Sequence, residues 1–362
     1  MINSEFRDKD SVLRIAEAIK KKAISQYKIM EICGGQTHAI LKNGLEELLP
    51  DNIKLIHGPG CPVCVSDETI IAKAVELSLN PDIILCTFGD MIRVPSKNGS
   101  LSSAKSRGAD IRIVYSPLDA VEIAQNNPNR QVIFFAIGFE TTAPIYALSI
   151  TKCRKLGIRN FSFITCIYRV STVIEYLMND PQFSINGLLA AGHVCTITGY
   201  KEYFSLAQKY KIGIAATGFE PVDILLGIYD CVEMINNNRW TVINSYKRAV
   251  SEIGNELAIN MLNEYFEFSD QVWHGIGCVD KSGYKLKSKY KEFDAFNRFS
   301  LKEDYLNESN YKCPLSEIYK GKLKPNQCKY FNDECNPANP MGAAMVSSEG
   351  ICSAYYKYTL KI

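Results

Sequence analysis

Short apolar runs recur along the chain, each ending in a glycine-containing turn and feeding a stretch whose apolar residues return at helical spacing. KIMEIC (28–33) precedes GGQTH, IKLIH (53–57) precedes GPG, and DIILCTF (82–88) precedes GDM. IRIVYSP (111–117) leads into LDAVEIA, and QVIFFAI (131–137) into GFETTAPIYAL. Runs that are apolar throughout belong to parallel sheets covered by helices on both faces, and the alternation with helices marks βαβ units. The pattern restarts with FSFITCI (161–167), GLLAAGHV (187–194) and KIGIAATGFEPVDILL (211–226). A weak internal echo, IGFETTAP (137–144) against TGFEPVD (217–223), suggests two similar halves. Beyond about 236 the strand–helix alternation gives way to irregular, Tyr- and Lys-rich sequence. The pattern therefore predicts an α/β protein: two doubly wound parallel-sheet (Rossmann-like) domains over 25–145 and 146–248. A third, irregular C-terminal domain is expected over 249–362, joined by a helix over 1–24.

In such folds ligands gather at the carboxyl ends of the strands, where the loops converge. All the unusual turns lie there: CGGQTH, GPGCPVC, TFGDM, GFETT, AGH and TGFEP. Composition narrows what they can do. With 41 Lys and Arg against 39 Asp and Glu, the net charge of +2 gives no electrostatic footprint for nucleic acid. The first residues, MINSEFRDKD, are polar and charged, so a secretory leader is not expected. No apolar run approaches the roughly 20 residues of a membrane helix. A soluble, cytoplasmic protein is expected, and that decides how its 13 cysteines read: as metal ligands, redox centres or core residues, not structural disulfides. No Walker A sequence, well-placed GxGxxG or GxSxG elbow is present to suggest phosphate or serine chemistry.

The C-terminal cysteines give the strongest signal. Cys313, Cys328, Cys335 and Cys352 are separated by 14, 6 and 16 residues in a proline-studded, turn-rich segment. Four thiolates there suit a tetrahedral zinc or an iron–sulfur cluster, and a metal would stabilise a segment with little core of its own. Cys61 and Cys64, in CPVC, fall where a helix is expected to begin; its N–H groups would stabilise a thiolate there. A redox dithiol, half a metal site and simple packing all remain open for this pair. Cys33 ends a strand before Gly34 and Gly35, which let a ligand approach the backbone, while Gln36, Thr37 and His38 offer polar groups to the same pocket. Glu140, Thr141 and Thr142 either cap the next helix or face the cleft. Cys86, Cys153, Cys166, Cys195, Cys231 and Cys278 read as core residues. His57, His193 and His274 read first as structural, with some functional weight left to His193 at its strand end.

Taken in order, CGGQTH, HGPGCPVC, TFGDMIRVP, SPLDA, GFETTAP, GFEP-D and MVSSEGIC resemble the hydrogenase maturation HypD family, from about Ile29 to the C-terminus. Some relatives carry a further cysteine where this chain has Ala344. The resemblance implies a cytoplasmic scaffold on which the Fe(CN)2CO group of [NiFe]-hydrogenase is assembled. It implies a [4Fe-4S] cluster on Cys313, Cys328, Cys335 and Cys352, and a transient iron held by Cys33 together with a HypC-type chaperone. Cyanide would come from a HypE-type partner, and Cys61 and Cys64 would be the redox dithiol. The competing reading is a stand-alone disulfide reductase, in which a cluster beside a CxxC reduces a disulfide. Cys33 discriminates, because a reductase needs no additional iron-binding thiolate.

Overall fold

A computed structural model describes residues 4–301 and 313–359. Among the described residues there are eleven strands. The eight apolar runs form β1 Tyr27–Glu31, β2 Ile53–His57, β3 Ile83–Thr87, β4 Asp110–Ile113, β5 Gln131–Gly138, β6 Phe161–Tyr168, β7 Gly187–Ala191 and β8 Gly213–Thr217, and the stretch read as irregular adds β9 Val242–Asn244, β10 Phe266–Trp273 and β11 Gly277–Leu286. They build two sheets. The first, ordered β2-β1-β7-β8-β9, is parallel throughout. The second runs β10-β11-β6-β5-β3-β4, with β3 to β6 parallel and the β10–β11 hairpin added antiparallel at β6. β3, β7 and β8 are buried at every position, as strands covered on both faces must be.

The doubly wound α/β class holds, but the strands are shared out differently from the expected division at 145 and 248. β1 and β2 join β7 to β9, while β10 and β11 complete the sheet begun by β3. Periodicity identifies strands but carries no information about which sheet each one enters. The N-terminal helix Lys9–Lys22 packs on helix Pro221–Asn236. Its buried face, Val12, Ala16 and Ile19, belongs to the core around helix Pro221–Asn236, and Arg7 pairs with Glu220 just before that helix.

Local chemistry sets the helix starts. Ser116 and Asp119 form a capping box with Pro117 in the first turn of helix Pro117–Asn126. Gly157, at φ +68°, closes helix Ala143–Leu156 in the left-handed conformation glycine favours. Helix Ile351–Tyr358 packs on helix Gly34–Lys42, beside the first strand turn. Among the described residues no helix is long and apolar enough to cross a membrane.

Candidate functional site

Cys33 follows β1 and takes the N-cap position of helix Gly34–Lys42, with extended backbone and no capping bond from its own side chain. Its thiol is thus free to face a cleft of about 350 Å³ between the lobes. The cleft is lined by strand-end residues of both sheets, among them Gly60, Pro62, Asp90, Thr141, Thr142 and His193. Burial, then the nearby Glu349 and Glu31 carboxylates, push the Cys33 thiol up to about 12. A bound cation would oppose all three effects and favour the thiolate.

The glycines set how closely the pieces approach. A Cβ on Gly60 would sit 2.2 Å from the Cys33 nitrogen, and the Gly34 N–H donates to the Gly60 carbonyl at 2.8 Å. The CPVC turn therefore lies directly against the Cys33 backbone. A Cβ on Gly35 would stand 3.2 Å from the Phe219 ring and 3.7 Å from the Cys33 sulfur. Phe219 also stacks on His193, with ring centroids 3.8 Å apart. Burial lowers the His193 pKa, so the neutral imidazole is favoured.

Cys61 and Cys64 are buried and joined as a disulfide. They do not begin the following helix. Helix Glu68–Ser78 starts four residues after Cys64 and is capped by Asp67, whose side chain accepts the Thr69 N–H. The CPVC forms its own turn instead, closed by the N–H groups of Cys64 and Val65 donating to the Cys61 carbonyl. Beyond the pair, the Cys64 sulfur lies 3.9 Å from the Ala343 carbonyl, so the turn packs on the residues just before MVSSEG.

The other expected site residues separate into two groups. Thr141 and Thr142 line the cleft, and the Thr142 hydroxyl donates to the Phe139 carbonyl at 3.1 Å. Glu140 turns inward, where Oε1 accepts the Val170 N–H at 2.9 Å, and burial lifts its pKa to about 8. Gln36 is buried, its amide N–H directed to the Ala190 and Thr217 carbonyls. The Thr37 hydroxyl donates to Glu31. His38 meets the C-terminus: Nδ1 lies 3.3 Å from the Ser348 carbonyl and Nε2 3.1 Å from the Tyr358 hydroxyl. The expectation that Thr37 and His38 point into the Cys33 pocket fails because the helix turns them towards neighbours that sequence spacing does not reveal.

His57, read first as structural, lies beneath this turn with Nδ1 2.8 Å from Glu31 Oε1 and Nε2 3.5 Å from Glu46 Oε1. Burial opposes its charge, but the bond to Glu31 and the two carboxylates outweigh this and lift its pKa to about 9. Nothing in spacing alone singles out His57. Of the six cysteines assigned to the core, five are buried, while Cys278 on the β11 hairpin is exposed.

Cys313, Cys328, Cys335 and Cys352 are all free thiols, drawn from separate turns and one helix start. They are electrostatic neighbours. After burial, the other three cysteines hold the Cys352 thiol well above its ordinary range, and Cys335 and Cys328 help push Cys313 up to about 12. The Met341 N–H donates to the Cys335 sulfur at 3.4 Å. Among the described residues no three His, Cys, Asp or Glu side chains are grouped so as to hold a single metal ion. Cys335 and Cys352 share one apolar core with Cys61, Cys64 and Ala343 to Val346.

A family model described as "HypD: Hydrogenase formation hypA family" matches residues 10–359. This chain belongs to the HypD family. It is 44% identical over 364 residues to the hydrogenase maturation factor HypD2 of Bradyrhizobium diazoefficiens, covering 98% of this chain and 96% of that one. The hydrogenase maturation factors HypD of Escherichia coli and Cupriavidus necator are 40% and 42% identical, again over 98% of this chain and 97% and 96% of theirs. Every site described above falls inside the span matched to the HypD family.

Proposed function

We propose that this HypD-family protein is a hydrogenase maturation factor that acts as scaffold and redox partner for assembling the Fe(CN)2CO group of [NiFe]-hydrogenase. The observation that carries this reading is the packing of the CPVC turn, through Gly60, against Cys33 at an open cleft. One soft thiolate at a strand end holds an iron while leaving its other positions open. Those positions are taken by cyanide, CO and a thiolate of a HypC-type chaperone docked over the cleft. The iron is cargo, bound here and passed on.

Cyanide arrives from a HypE-type partner as a thiocyanate, R–S–C≡N. Releasing it as CN⁻ breaks the S–C bond and needs two electrons and one proton for the departing RSH. The dithiol form of Cys61 and Cys64 supplies both electrons and two protons on forming its S–S bond, leaving one proton over. The disulfide between Cys61 and Cys64 is the spent form in this scheme. Thr141, Thr142 and His193 line the same cleft and offer polar groups to the incoming ligands.

Cys313, Cys328, Cys335 and Cys352 fit a [4Fe-4S] cluster. All four are free cysteines, and Cys313, Cys335 and Cys328 each act electrostatically on Cys352, which supports a cluster taking one thiolate at each of four irons. An N–H donated to the Cys335 sulfur is the kind of contact that tunes such a centre. When bound, the cluster would supply one-electron chemistry.

The test is the infrared spectrum of the protein purified anaerobically with its chaperone. Iron-bound cyanide and CO bands are expected from the wild type and lost in Cys33→Ala, with the visible absorption of the C-terminal cluster unchanged. Full-intensity bands from Cys33→Ala would put the iron elsewhere and return the disulfide-reductase reading.

A further inference from the structure

Beneath the Cys33 turn lies a buried polar chain that the thiol chemistry does not use. Glu31 ends β1 and is fully buried. Its Oε2 accepts the Cys33 N–H at 2.9 Å, and its Oε1 accepts the Thr37 hydroxyl and faces His57 Nδ1 at 2.8 Å. One carboxylate thus grips the first turn of helix Gly34–Lys42 at two points. His57 ends β2 in register with Glu31 and presents its second nitrogen to Glu46 at 3.5 Å. Glu46 continues to Lys324 at 3.4 Å, and the His57 ring stands edge-on to Tyr355, with centroids 5.8 Å apart. Lys324 lies four residues before Cys328, and Tyr355 three residues after Cys352.

A carboxyl group at this depth has to satisfy its oxygens with hydrogen bonds. Glu31 does so through the Cys33 N–H and the Thr37 hydroxyl, both on the turn itself, and through His57, the one of these three partners that comes from another strand. Held from one side by His57, the carboxylate has its direction fixed towards Cys33 on the other. Hydrogen bonds behind a ligand residue set its orientation and tune its metal affinity.

We propose that His57 is a positioning residue for Cys33: it holds Glu31, which fixes the Cys33 N–H and Thr37 hydroxyl, and it ties this turn to the segments carrying Cys328 and Cys352. The iron arm of the test rests on the function proposed above, whereas the thiol arm does not. The rate of Cys33 alkylation by iodoacetamide is followed by mass spectrometry, with exposed Cys278 as internal reference. His57→Leu should speed Cys33 roughly fivefold, the effect of a modest local loosening, and leave Cys278 unchanged. It should also weaken iron(II) retention by the chaperone complex roughly 10- to 100-fold. His57→Gln, which can still donate to Glu31, should recover most of both. If His57→Leu fails to fold, His57→Asn, too short to reach Glu31, replaces it against the same His57→Gln reference. Equal Cys33 rates in the wild type and the short or apolar variant would overturn the proposal, as would Cys33 and Cys278 rising together. A wild-type complex that retains no iron would instead refute the function proposed above and leave the alkylation comparison to judge His57.

Discussion

Replacing Gly60 by alanine tests the idea that the two thiol sites work because they touch. The added Cβ would meet the Cys33 nitrogen at 2.2 Å, the Ile32 carbonyl carbon at 2.3 Å and the Cys33 Cα at 2.4 Å. All three are backbone atoms, so no side-chain rotation relieves the clash. The turn must move, and the 2.8 Å bond from the Gly34 N–H to the Gly60 carbonyl moves with it. Overpacking of this kind costs about 1–3 kcal/mol, and the broken bond adds about 1 kcal/mol. The expected loss is therefore about 2–4 kcal/mol. Gly35→Ala is the control: its nearest contact is the Phe219 ring at 3.2 Å, a side chain able to give way, so less than about 1 kcal/mol is expected. Urea unfolding followed by fluorescence of Trp240 and Trp273 measures both, and hydrogenase maturation in cells measures function. The reasoning is refuted if Gly60→Ala unfolds at the wild-type urea concentration, or if Gly35→Ala is the more damaging change.

Two further outcomes follow, one from a cysteine and one from a buried carboxyl. Cys328→Ala should abolish the broad visible absorption of the anaerobic protein and loosen its C-terminal segments, because cluster binding is coupled to their folding; a colourless wild type carrying one zinc would contradict this. Glu140, lifted to about 8, is held neutral when folded, whereas the unfolded carboxyl titrates near 4.3. Its contribution to stability is complete below the unfolded value and is lost as pH rises through the folded value. Glu140→Gln should therefore stabilise the protein at pH 8.5 more than at pH 5. Unfolding curves at the two pH values check this, and a pH-independent effect would count against it.

β1 to β8 and their turns were legible in the sequence because buried parallel strands are largely apolar and their glycine turns announce the strand ends; β9 to β11 were not, since β10 and β11 mix exposed polar with buried positions. Cys33 and the CPVC pair stood out as candidates by their glycine-rich company, and the structure places the CPVC turn against the Cys33 backbone. What periodicity could not carry was partnership across long sequence separations. His38 looked like a neighbour of Cys33 yet bonds to Ser348 and Tyr358, more than 300 residues away. His57 looked structural because its value lies in Glu31 and Glu46, whose buried placement no local pattern announces. Asp67 supplied the cap that CPVC was expected to occupy, moving the helix start by a turn.

The interleaved sheet order also constrains how the protein can be made. β1 emerges during synthesis long before β7, its neighbour on the side away from β2. Until residues 187–191 have appeared, that edge of β1 is an open row of backbone donors and acceptors, a ready template for unwanted pairing. The second sheet waits in turn for the β10–β11 hairpin to cover β6. Neither sheet can be completed from a contiguous half of the chain. Fragments cut near 145 or 248 should misassemble instead of folding as separate pieces, and a chain stalled before β7 would expose Cys33 and CPVC without the lobe that shields them.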